Sequence, residues 1–152
     1  MKKLFRALLI STGAALIATG CASGPEYKDV ASAIPTLSAD HGRIYFFRSA
    51  NIGGSAIQPE IKLNDKVVGR SVPGGFFFVD EAPGEYTVST STEVKHDIKF
   101  TLRAGDTKYV RTTVSMGFLV GHITPTLDDP ETAPQEIEQL KYTGAPMSTA
   151  AK

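Results

Sequence analysis

Between Gly42 and Leu127 the chain is punctuated at 64, 74, 83, 96 and 105 by turn signals, among them Asn64, Gly74, Pro83 and Gly105. Intervals of roughly ten residues hold a short strand and its turn, but not a strand, a helix and a return strand. The stretches between turns carry β patterns. In Asp97–Arg103, Ile98, Phe100 and Leu102 alternate with Lys99, Thr101 and Arg103, giving one apolar and one wet face. In Gly42–Ser49, Ile44 and Phe46 share one face while Tyr45 and Phe47 share the other, the pattern of a central strand covered on both sides. Ile57–Leu63 alternates around Glu60 and Lys62, and Asn64 with Asp65 tolerates the positive φ of a two-residue hairpin before Lys66–Val72. Phe76–Glu81 and Glu85–Thr92 are the next strands; between them Pro83 presets φ, and Gly84 is expected at the left-handed position of a type II turn. In Thr107–Met116, Val110, Val114 and Met116 share a face across Thr112.

Near the end, Thr132 and Gln135 have capping-box spacing, Pro134 lies in the first turn, and Asp128, Asp129 and Glu131 suit a helix amino terminus. Ala133, Ile137 and Leu140 form one apolar stripe, so a helix is expected from about Ala133 to Lys141, stopped by Gly144. Residues 42–143 are thus expected to form one all-β domain, a small antiparallel β-sandwich of about seven to eight strands with a short C-terminal helix. Residues 144–152 are small and polar and are expected to be a disordered tail.

The amino terminus is of another kind. Lys2, Lys3 and Arg6 precede an apolar run from Ala7 to Ala18, too short for the about 20 residues a spanning helix needs but suited to a secretory signal. The run ends in Ala18, Thr19, Gly20 and Cys21, the one cysteine of the chain. This resembles the lipobox of bacterial lipoproteins, with Ala18 standing where Leu is commonest. The resemblance implies a signal peptide over 1–20, cleavage between Gly20 and Cys21, and acyl chains on Cys21, so that the membrane lipid is the first partner. Two or three chains anchor durably, whereas one binds only marginally. Ala22 stands where such lipoproteins carry an Asp for inner-membrane retention, which points to the outer membrane, facing the periplasm. The competing reading is an ordinary secreted protein cut near Ala22 or Ser23 with a leftover thiol.

Residues 22–41 are rich in Ala, Ser, Pro and Gly with no sustained period, so 21–41 is expected to be the lipidated cysteine and a flexible tether. As a coil, twenty residues reach about 25 Å. The alternative is a short helix or strand in which Tyr27, Val30, Ile34 and Leu37 pack on the domain.

The order GRIYFFR, IKLNDKVVG, a Gly-rich step into an aromatic strand, PGEYTV and LRAGDTKYV resembles the bacterial family known as domain of unknown function 2846, over residues 42 to about 143. Its turns are also similar to those of PEGA-like and transthyretin-like (carboxypeptidase-regulatory-type) sandwiches. Both likenesses rest on turn chemistry. They imply a small β-sandwich, often lipid-anchored, and carry over no catalytic residue.

Charge and composition narrow the chemistry. Lys plus Arg and Asp plus Glu both number 16 and are scattered, so the basic footprint of a nucleic-acid partner is missing. Removing residues 1–20 takes away three cations and no acid, leaving 13 against 16. The lone cysteine closes no internal disulfide, and His41, His96 and His122 are scattered, so no metal site and no cofactor is expected. The acid pairs Asp80 with Glu81 and Asp128 with Asp129 sit where turn and cap roles explain them, so no catalytic residue is nominated. The expectation is therefore a binding or structural module and not an enzyme; the alternative is a periplasmic hydrolase or metal-binding protein. Between Gly117 and Gly121, Phe118, Leu119 and Val120 are either core or the contact surface for an envelope protein partner.

Overall fold

The computed structural model describes residues 20–51, 54–91, 95–116 and 121–147. Among these, β1 (Gly42–Phe47), β4 (Gly75–Glu81), β7 (Thr107–Met116), β8 (Gly121–Leu127) and β9 (Lys141–Tyr142) form one sheet in the order β8, β7, β1, β4, β9. The second sheet contains β2 (Glu60–Leu63), β3 (Lys66–Arg70), β5 (Gly84–Ser91) and β6 (Lys95–Leu102), in the order β3, β2, β5, β6. The fold is all-β, as expected. Nine strands lie among the described residues, and they are not antiparallel throughout, because β1 pairs in parallel with β7 and β4 with β9. The reason is the path of the chain: it leaves the first sheet after β1 and β4 and returns at β4 and β7. Strands distant in sequence therefore become neighbours with the crossover that parallel pairing needs.

Between the sheets lie Phe46, Phe77 and Val110 from one side and Ile61, Leu63, Val88, Phe100 and Leu102 from the other, all in one buried cluster. Phe46 and Phe77 are cross-strand partners whose rings stack at 5.0 Å. Gly69 makes room for Phe77, since a Cβ there would meet its ring at 2.4 Å. The expectation of a doubly covered central strand holds for β1, the third of five, whose other face is covered by the two ends of the chain. The helix α1 (Tyr27–Val30) sets Tyr27 against Phe76 at 5.6 Å, and α2 (Ala133–Ile137) buries Ala133 and Ile137, with Leu140 beyond it.

The hairpin at Asn64 and Asp65 forms as expected, both with positive φ (46° and 65°). Gly84 does not take a left-handed conformation; it opens β5, paired with Leu102. Because β4 and β5 lie in different sheets, residues 82–83 carry the chain across the sandwich and no tight reversal is required. Nor does His96 lie in a turn: it is paired with Thr90 inside β6. The helix is shorter than expected, and the side chain of Thr132 makes no cap bond. Residues beyond it gain more from the sheet, where the N–H of Lys141 reaches the Gly74 carbonyl (3.0 Å) and that of Thr143 the Phe76 carbonyl (2.8 Å).

Two expectations about the ends are corrected. Much of 21–41 is not a free tether: α1 and the 3₁₀ turn Ala31–Ala33 lie on the domain, with Val30 buried, as in the alternative weighed for it. Within 144–147, expected as tail, the Ala145 carbonyl accepts the Tyr142 hydroxyl at 3.0 Å and Met147 packs against the core. Residues 1–19, nearly all of the expected signal peptide 1–20, and residues 148–152 lie outside the described residues.

Candidate anchoring site

Cys21 is exposed, and the backbone immediately beyond it is fastened to the domain. The N–H of Ala22 donates to the Pro73 carbonyl at 2.9 Å, the Tyr142 N–H to the Pro25 carbonyl at 2.8 Å, and the Tyr27 N–H to the Leu140 carbonyl at 3.0 Å. Glu26 and Lys141 form an antiparallel bridge, so the segment runs along β9 and covers that edge of the sheet. The close approach needs Gly24, where a Cβ would fall 1.7 Å from the Tyr142 carbonyl oxygen. Before the cysteine, the carbonyl of Gly20 accepts a bond from Nε2 of Gln58 at 2.6 Å.

Gln58 is held in turn by buried chemistry. Arg48, only 2% exposed, donates from Nη1 to the Ile57 carbonyl at 2.7 Å and from Nη2 to the Gly54 carbonyl at 2.9 Å. Its Nε meets no acceptor among the described residues, and burial pulls the guanidinium below its usual pKa. Outside, Arg70 bonds the Gln58 carbonyl through Nε (3.2 Å) and Nη2 (2.9 Å). A recess of about 510 Å³ opens beside Cys21, bordered by Ser23, Gln58, Val72, Tyr142 and Thr143, and every residue lining it is uncharged. Cys21 thus combines an accessible thiol with backbone held on both sides, an arrangement suited to carrying an attachment.

The other residues singled out from sequence fall elsewhere. Asp80 accepts Arg43 through both oxygens (2.6 and 2.7 Å), and Arg43 also reaches the Pro35 carbonyl and lies 4.5 Å from the centre of the Phe78 ring. Asp128 receives Arg111 at 2.6 Å, while an oxygen of Asp129 accepts the Glu131 N–H. Arg111 also binds Glu136 of α2, which takes a bond from the Ser49 hydroxyl, and its guanidinium sits 4.7 Å from the centre of the Phe47 ring. Burial pushes the Glu136 carboxyl up, but the bonds from Arg111 and Ser49 and the charge of Arg111 together hold it below its usual value. These groups pin α2 and the strand β1.

His41 stays apart, on Asp40, but His96 and His122 are brought together across the two sheets with ring centroids 5.7 Å apart. Sequence offered no sign of this, since only the meeting of β6 with β8 creates it. No group of three or more metal-binding side chains occurs among the described residues. Nor is any helix among them long and apolar enough to cross a membrane. Phe118, Leu119 and Val120, the candidate partner contact, lie outside the described residues. Missing from the sequence reading were Gln58, Pro73 and Tyr142, which hold the chain about Cys21; Gly24 with Pro25 was the local signal that it bends onto another backbone.

A family model described as "Protein of unknown function (DUF2846)" matches residues 38–123. That span contains β1 to β7 and the start of β8, but neither Cys21 nor β9. An uncharacterized protein of Haemophilus influenzae is 29% identical over 127 residues, which cover 80% of this chain and 74% of the relative. No solved structure matches.

Proposed function

Starting from the chain's membership of the DUF2846 family, whose description names no activity, we propose that it is a lipid-anchored protein of the bacterial envelope. Cys21 carries the lipid, and the β-sandwich is a binding or structural module with no catalysis of its own. The observation that carries this reading is the run of Lys2, Lys3 and Arg6, an apolar stretch and Ala18-Thr19-Gly20-Cys21, with an exposed thiol at its end. Its likeness to the lipobox, and Ala22 in place of Asp, favour the outer membrane and its periplasmic face. A binding role is favoured over a hydrolase because Asp80 and Asp128 are each engaged by an arginine, and because the likeness to PEGA-type and transthyretin-like sandwiches concerns turns. Phe118, Leu119 and Val120 are the contact proposed for an envelope protein partner.

Intact mass and membrane fractionation of the protein and of Cys21→Ser test the anchor. The mature chain should begin at Cys21 with the added mass of two or three acyl chains, and Cys21→Ser should lose that mass and its lipid-dependent membrane attachment. An unmodified Cys21, or a terminus at Ala22 or Ser23, overturns the reading.

A further inference from the structure

A lipid on Cys21 and a segment docked from Ala22 onward have a joint consequence. We propose that the face around Cys21 is a seat for the lipid headgroup layer, with the domain resting on the bilayer in one orientation instead of swinging from a leash. The inference rests on the lipid anchor proposed for Cys21.

Chain length sets the geometry. Cleavage before Cys21 would remove Gly20 and its bond to Gln58, leaving the Ala22 N–H on Pro73 as the first fixed backbone contact. One peptide unit, about 3.8 Å between Cα atoms, then separates the acylated residue from backbone locked to the fold. The polar layer on each side of the hydrocarbon is only about 5 to 7 Å deep. A thioether on Cys21 reaches the acyl chains through glycerol, so the surface beside it must meet that layer. Free tethering over 21–41 would have given about 25 Å of slack.

The chemistry of the seat agrees. The residues lining the recess beside Cys21 are uncharged, so placing them among glycerol and headgroups buries no ion. Arg70, exposed and bound to the Gln58 carbonyl, stands next to this face and can pair with lipid phosphate. At the other end of the same hairpin, Lys66 is exposed and is the strand partner of Leu63, five residues beyond Gln58, so it lies about 16 Å from Gln58 if that run is extended.

The test uses the full acylated protein in vesicles of phosphatidylethanolamine and phosphatidylglycerol. Acylation consumes the native thiol, so Gln58→Cys and Lys66→Cys each give one site for a fluorophore. Quenching by a lipid bearing a nitroxide on its headgroup should be several-fold stronger at 58 than at 66. A flexible ten-residue Gly/Ser insert between Cys21 and Ala22 should abolish the difference. Equal quenching at 58 and 66, or a difference that survives the insert, overturns the seat. Intact mass of the same samples separates that failure from failure of the anchor: acylated protein with equal quenching refutes the seat alone, and unacylated protein refutes the reading beneath it.

Discussion

Replacing Gly24 with alanine should lift the amino-terminal segment off the domain. The added Cβ would stand 1.7 Å from the Tyr142 carbonyl oxygen, where Cβ contacts essentially never fall below 3.0 Å, so the two backbones must part by at least the 1.3 Å difference. The neighbouring bond from the Tyr142 N–H to the Pro25 carbonyl, now 2.8 Å, would then exceed any hydrogen-bonding distance if the shift fell along it. With it go the bonds of Ala22 to Pro73 and of Tyr27 to Leu140. At about 0.5 to 1.5 kcal/mol net each, three bonds sum to about 1.5 to 4.5 kcal/mol. Freed backbone regains entropy of about 1 to 2 kcal/mol per residue, which limits the loss to the net free energy of docking, on the order of 2 kcal/mol. For a domain of this size that corresponds to a fall of about 8 °C in Tm. Thermal unfolding of the detergent-solubilised protein reads the shift, and amide hydrogen exchange locates it: Ala22, Tyr27 and Tyr142 should lose protection while β1 and β4 keep theirs. A Tm within about 2 °C of the parent, with Tyr27 and Tyr142 still protected, would refute the claim that the segment is held by this close approach.

Three further outcomes are expected. Asp80→Ala leaves Arg43 buried without its carboxylate and should cost about 2 to 4 kcal/mol in urea unfolding, while Arg43→Met with Asp80→Leu should cost less than the single change, because no unpaired charge remains. The lowered carboxyl of Glu136 gives stability that is fully present above the ordinary glutamate value of about 4.3 and is lost as pH falls through the lower folded-state value; Glu136→Gln should therefore flatten the acid limb of a stability profile measured from pH 6 to pH 2.5. Gly84→Ala should change stability by less than about 0.5 kcal/mol, whereas Gly105→Val should cost more than about 1 kcal/mol, since Gly105 has φ of 80° with no atom within 4 Å of a Cβ and so isolates backbone strain; equal melting points for the two would contradict this.

Local patterns made most strands legible. Ile98, Phe100 and Leu102 announced β6, and Asn64 with Asp65 announced the hairpin, because pleat alternation and positive φ are set by neighbouring residues. What was not legible depends on pairing at a distance. Pro83 and Gly84 form a good turn in isolation, but the destination of β5 in the opposite sheet decides that Gly84 is extended. Ala133, Ile137 and Leu140 do form one buried stripe, but Lys141 leaves the helix because Gly74 offers its carbonyl. At the candidate anchoring site, Cys21 is singled out by its neighbours in sequence, whereas Gln58, Pro73 and Tyr142 come to it from distant points of the chain. The composition of 22–41 suggested slack because small residues also suit a segment that must lie close to another backbone, as Gly24 does.

Among the described strands, the one that receives most of the amino-terminal segment is the last in chain order. Tyr27 bonds Leu140 across 113 steps of chain, a closure that waits until Leu140 has been made. While β9 is still absent, Ala22 can already reach Pro73, but Pro25, Glu26 and Tyr27 lack their backbone partners Tyr142, Lys141 and Leu140. Arrival of Lys141 and Tyr142 then shuts the segment down. The order of synthesis thus makes the closure of residues 25–27 onto β9 a late step, and a chain ending before Lys141 would lack that closure.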